Sequence, residues 1–173
     1  MRPIFLHAII LPMSRSVLSV LVEDESGVLA RISGLFSRRG YNIESLTVGP
    51  CEHEGLSRMI IVTKDDVEQV KKQLNKLINV IKITDLSELP FVDRELAIIK
   101  VSSRQNRAEI IEIADLFRSR IIDVSEESLI VEITGDTEKI NAVVQLLTPY
   151  GIKEVARTGS IALLRGKKSA AKV

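Results

Sequence analysis

The chain has no tryptophan, one cysteine and no excess of either charge. Aromatic residues are only 3% of its 173 positions, so there is no stacking platform for single-stranded nucleic acid. Lys and Arg number 24 against 23 Asp and Glu, a net charge of +1. That balance sets up no field toward a polyanion or an anionic membrane surface, and neither nucleic acid nor membrane is expected as a partner. Cys51 alone cannot form an internal disulfide, which suits a reducing compartment and an expected cytoplasmic location. The apolar run Ile4 to Leu11 follows Arg2 much as a signal peptide starts. It is too short to span a bilayer, and no small-residue cleavage site follows. Residues 1–13 therefore read as an extension outside the fold, with Met13 an alternative start. The basic tail 167–173 reads as a solvated, disordered end.

Catalytic equipment is equally sparse. The two histidines, His7 and His53, have no Ser or Cys positioned as a partner nucleophile. Cys51, Glu52, His53 and Glu54 cluster, but they are consecutive and cannot all converge on one ion from regular structure. That segment reads as a turn between strands. The chain is expected to hold no metal, no cofactor and no catalytic residue.

What is present is aliphatic: hydrophobic residues make up 45% of the chain and charged residues 27%. The pattern divides at Pro90 and Asp93-Arg94-Glu95 into two halves with one order of elements. In the first half, strands are predicted over about 16–23, 42–48, 58–63 and 80–86. One helix starts at Gly27, with Val28, Leu29, Ile32, Leu35 and Phe36 on one face and Gly40 as its stop. A second starts at Asp65-Asp66, with Val67, Val70, Leu74, Leu77 and Ile78 as its stripe. The second half repeats this with strands over 96–101, 121–124, 129–133 and a long region 152–164 broken at Gly159. The fold class is α+β: tandem ferredoxin-like βαββαβ units, each a four-stranded antiparallel sheet with two helices on one face. The domains are 14–90 and 91–166.

One turn stands out. Asp24-Glu25-Ser26 closes the first strand and Gly27 opens a helix, whose first N–H groups lack partners and favour an anion. Asp24 and Glu25 are acceptors for an ammonium group, so one turn holds means for both ends of a free amino acid. Asp24 or Ser26 as a plain helix cap is the simpler reading of the same residues. The matching turn of the second half, Ser102 to Asn106, has neither the glycine nor the acidic pair, so the halves should differ in task.

Asp24-Glu25-Ser26-Gly27-Val28-Leu29 resembles the acidic-x-x-Gly-x-Leu turn of ACT domains, βαββαβ modules that sense amino acids. Leu35 to Val48, with its Gly40-Tyr41-Asn42-Ile43-Glu44-Ser45-Leu46 run, is similar to the regulatory small subunit of acetolactate synthase (acetohydroxyacid synthase). Leu56-Ser57-Arg58-Met59, Ile121 to Val124 and Glu154 to Gly159 fit the same family. The resemblance makes 14–90 an ACT regulatory domain and the chain a non-catalytic subunit. It implies a catalytic large subunit as partner, carrying thiamine diphosphate, Mg²⁺ and FAD, with this chain raising its activity. It implies feedback inhibition by valine in branched-chain amino acid biosynthesis, and a homodimer through the ACT domain. The family's valine site falls on Asp24, Glu25, Ser26, Gly27, Val28, Leu29, Asn42 and Ile43. One departure is Asp24, where some relatives carry Asn.

Three rival readings differ in class. An enzyme using Asp24, Glu25 and Glu44 as acid and base lacks a supporting histidine. A transcription regulator needs a DNA-binding helix that the sequence does not show. A stand-alone ACT-type sensor acting on a different enzyme would share the turn but not the partner.

Overall fold

The computed structural model describes residues 15–166. The expectations for 1–13 and 167–173 lie outside the described residues. In the first half β1 is Ser16–Glu23, α1 Val28–Arg39, β2 Ser45–Pro50, β3 Leu56–Thr63, α2 Val67–Leu74 and β4 Val80–Asp85. In the second, β5 is Phe91–Ser102, α3 Arg107–Leu116, β6 Arg120–Val124, β7 Ser128–Gly135, α4 Thr137–Leu147, β8 Ile152–Arg157 and β9 Ile161–Leu164. The strand order is β2-β3-β1-β4 in one sheet and β6-β7-β5-β8 in the other, all pairs antiparallel. These are two βαββαβ units of one topology, as the pattern of elements predicts.

Each unit closes its own core. Leu18, Val20, Val22, Met59 and Ile61 alternate along β1 and β3 and meet Val28, Ile32, Leu35 and Phe36 of α1. Ala97, Ile99, Val101, Leu129, Val131 and Ile133 do the same against α3 and α4. Leu29 departs from the expected apolar stripe: it is exposed. Gly40 stops α1 with φ 69°, its N–H bonded toward Phe36 and Ser37. The strand expected to start at Asn42 starts three residues later, at Ser45.

β1 reads as a nearly unbroken apolar run because both its faces are buried, where an antiparallel strand with one wet face would alternate. The cover comes from the other half. β5 is longer than the expected strand at 96–101: Phe91 to Arg94 pair with Ile161 to Leu164 of β9. Ala162, Phe91 and Leu164 pack on Val17, Ile60, Val62 and Leu86, forming a third core between the halves. Among the described residues no helix is long and apolar enough to cross a membrane.

Candidate functional site

The turn after β1 is built by backbone. Gly27 has φ 85°, a left-handed conformation that strains any residue with a side chain. A Cβ placed there meets nothing within 4 Å, so the demand for glycine comes from the backbone and not from crowding within the chain. The Asp24 N–H donates to the Gly55 carbonyl at 2.8 Å, and the Val28 N–H donates to the Glu25 carbonyl at 3.3 Å. Asp24, Glu25, Ser26, Gly27 and Leu29 are exposed, while Val28 is buried in the first core.

The simpler reading of these residues does not hold. Neither Asp24 nor Ser26 caps α1, which has no side-chain cap and no acidic residue in its first turn. α2 is capped by Asp66, which accepts from Glu68 and Gln69 N–H, and α4 by Asp136, which accepts from Lys139 N–H at 2.8 Å. α3 also lacks a side-chain cap but carries Glu109 in its first turn. Bonds from Asn106, and after it from the Tyr150 hydroxyl, hold the Glu109 carboxyl below the usual carboxylate range. Among the described α-helices α1 alone presents its N-terminus with neither form of compensation. The Asp24 carboxylate makes no hydrogen bond or ion pair among the described residues.

Glu25 is less free, because of a residue the sequence did not mark. Asn79, 5% exposed, donates from Nδ2 to Glu23 Oε2 at 2.6 Å and more weakly to Glu25 Oε2 at 3.4 Å. Its Oδ1 accepts from Arg31 of α1, and its backbone carbonyl accepts from Glu23 N–H. Asn79 therefore ties the end of β1, the turn and the first turns of α1 to the connection before β4. The only clue in sequence was one polar residue between Ile78 and Val80.

Asn42 and Ile43 sit elsewhere. Ser45 and Val17 both pair with Val62, whereas Glu23 pairs with Leu56, so Asn42 lies at the end of the sheet where β1 begins. The Gly27 turn lies where β1 ends, roughly 20 Å away for six strand residues. The expectation that Asn42 stands near the helix start fails within one chain. Asn42 is fixed by its backbone: its N–H donates to Asp65 Oδ2 at 2.6 Å and its carbonyl accepts from Thr63 Oγ1 at 2.8 Å. Asp65 thus holds this loop, and only Asp66 of the acidic pair caps α2. The Asn42 side-chain amide is exposed and has no partner among the described residues. Ile43 is half-buried against the first core.

Asn42 and Ile43 line a polar cavity of about 840 Å³ between the halves, with Arg15, Lys64, Glu95 and Arg157. Glu44, a candidate acid or base by sequence, is held in ion pairs there with Lys64 and Arg15. Arg157 makes a two-point bond to the buried Glu95, at 2.6 and 2.9 Å. Residues 24–29 line neither this cavity nor a more apolar one of about 690 Å³ beside β9.

The comparisons with known proteins agree with one another. Residues 18–82 match the family model described as the AHAS small subunit-like ACT domain. Residues 94–166 match the model described as the small subunit of acetolactate synthase. A probable acetolactate synthase small subunit of Archaeoglobus fulgidus is 53% identical, over 89% of this chain and 99% of that one. The acetolactate synthase small subunit of Bacillus subtilis is 49% identical, over 91% of this chain and 94% of its own. The crystal structure of the small subunit from Thermotoga maritima superposes with a TM-score of 0.82 at 42% identity, over 90% of this chain and 99% of that one. With an ACT-type first half, a second half matched along nearly its whole length and relatives of the same extent, the chain belongs to the family of acetolactate synthase small subunits.

Proposed function

We propose that the chain is the regulatory small subunit of acetolactate synthase, binding a catalytic large subunit, raising its activity and making it sensitive to valine. Residues 14–90 are the sensing domain and 91–166 the domain that tunes the catalytic partner. Thiamine diphosphate, Mg²⁺ and FAD belong to that partner. The observation that carries the reading is the start of α1, uncapped and exposed beside an Asp24 carboxylate with no partner among the described residues, in a chain whose relatives are small subunits.

The chemistry follows from those groups. A carboxylate at a helix N-terminus gains about 0.3–1 kcal/mol from the dipole, and more where it also receives the free N–H groups. The Leu29 and Ala30 amides have no backbone partner among the described residues and are placed to donate. Asp24 accepts from the ammonium group. A small apolar pocket separates side chains differing by one methylene by only about 1–3 kcal/mol, so leucine and isoleucine compete with valine.

Asn42 and Ile43 join this site if two copies pair. β2 is an edge strand, with its main chain paired on one side only. Antiparallel pairing of β2 with β2 of a second copy continues the sheet with helices on the same side. The two-fold axis then exchanges the ends of the sheet. It carries Asn42 of one copy toward the end where the Gly27 turn of the other lies. Valine binding at such a junction changes how the copies pack, which supplies the differential affinity that feedback needs.

Calorimetry with valine on the purified chain, beside activity of the catalytic subunit with and without it, tests the proposal. Saturable binding, activation by the chain and inhibition by valine only in its presence are expected. No binding at millimolar valine would overturn the sensing role, and no activation would overturn the subunit role.

A further inference from the structure

We infer that Gly159 is a positioning residue that lets the backbone of 158–160 rest on Ser45 and Thr47, so that the second half holds the edge strand of the sensing half. This rests on reading the first half as the sensor. The contact is unusually close. Gly159 has φ 81°, and a Cβ on it would stand 2.5 Å from Ser45 Oγ and 3.1 Å from Thr47 Oγ1. The Ser160 N–H donates to Ser45 Oγ at 3.1 Å, and Thr47 Oγ1 donates to the Ser160 carbonyl at 3.1 Å, with the Thr158 carbonyl at 3.4 Å. Ser45 can turn its hydroxyl away from an added methyl only by giving up the Ser160 bond. Glycine is therefore required twice here, for its backbone conformation and for the absence of a side chain.

The other side of this segment is clamped to the second sheet. Thr158 N–H donates to the Leu96 carbonyl at 3.0 Å, and Leu96 N–H donates to Thr158 Oγ1 at 3.1 Å. Arg157, next to it, is anchored on Glu95. Residues 158–160 thus bridge β5, in the second sheet, to β2, which begins two residues after Ile43. A ligand that moves Asn42 and Ile43 moves β2, and the bridge passes that movement to the second half. β2 is an edge strand paired with β3 on one side only, and on its open side no further strand holds it among the described residues, so the side-chain bridge is its second tether.

The test uses the full chain and three variants: Gly159→Ala, Thr47→Val and Thr47→Ser. Hydrogen–deuterium exchange is read on peptides covering 45–50 and 157–164. In Gly159→Ala and Thr47→Val, exchange is expected to rise about fivefold or more in both peptides, the effect of losing one net hydrogen bond. Thr47→Ser keeps the hydroxyl and the wild-type rate, and it decides the matter should Gly159→Ala fail to fold. A rise confined to 157–164, with β2 unchanged, would overturn the inference. In the reconstituted complex Gly159→Ala is expected to bind valine within about threefold of wild type while losing most of its inhibition. Binding with full inhibition would overturn the coupling. Failure of the wild-type chain to bind valine would instead fall on the sensing role, and the exchange measurement, which needs no ligand, still decides the bridge.

Discussion

At the scale of single residues, the site divides into positions held by the chain and positions left open by it. Glu25 and Glu23 are engaged by Asn79, and Val28 is core; the Asp24 carboxylate, the Leu29 and Ala30 N–H groups and the Asn42 side-chain amide have no partner among the described residues. Substitution at the open positions should therefore separate binding from folding. Gly27→Asp meets open space, and its left-handed backbone is one that Asp tolerates at about 1 kcal/mol. The added carboxylate would stand beside the ligand's own. Valine binding is expected to vanish in calorimetry while the far-UV spectrum and activation of the catalytic subunit persist. Asn42→Ala removes an exposed, unpartnered amide, so stability should move by less than about 0.5 kcal/mol while affinity falls about tenfold or more. Wild-type affinity in both variants would take these residues out of the site. Asn42 could be named as a candidate from sequence because a local run of seven residues carries the family resemblance. Asn79 could not, since its importance lies in partners that are 48 and 56 positions away.

At the scale of elements, the helix starts are the informative comparison. Asp66 and Asp136 satisfy N–H groups of their helices, and Asp66→Ala should cost about 1 kcal/mol in chemical denaturation. Asp24→Ala and Ser26→Ala should each change stability by less than about 0.5 kcal/mol, because neither side chain caps α1. A loss at Ser26 equal to that at Asp66 would show that it caps α1 in solution. An acidic or hydroxyl residue before an apolar stripe announces a helix start, and the helices expected from Gly27 and from Asp65-Asp66 begin at Val28 and Val67. Sequence could not say which of those residues spends its oxygen on the helix. Asp24 and Asp66 look alike in one dimension and differ only because Gly27 intervenes with a left-handed turn. The strand at β2 was misplaced for a related reason: Asn42 to Glu44 have extended-looking side chains, but Asp65 and Thr63 draw Asn42 into a loop.

At the scale of the molecule, the repeated order of elements was readable because apolar spacing is a local signal, whereas the packing of one half on the other was not. The apolar outer faces of β1 and β3 required a cover, and β9 with the start of β5 supplies it through contacts spanning most of the chain. The same limit applies to the proposed binding site, whose two sets of residues lie at opposite ends of one sheet. If pairing of β2 edges unites them, each site takes its Gly27 turn from one copy and Asn42 from the other. Mixed dimers make this decidable. Chains carrying Gly27→Asp alone or Asn42→Ala alone should each bind no valine or bind it weakly. A dimer of one chain of each kind has one site with both defects and one with neither. Tandem affinity tags isolate that dimer, and calorimetry on it is expected to show about one wild-type site per dimer, half the normal stoichiometry. If both parts of a site came from one chain, every site in the mixed dimer would carry a defect and no wild-type binding would return. Recovery of half the sites therefore requires the shared site, and its absence, with the mixed dimer shown intact by sedimentation, would refute it.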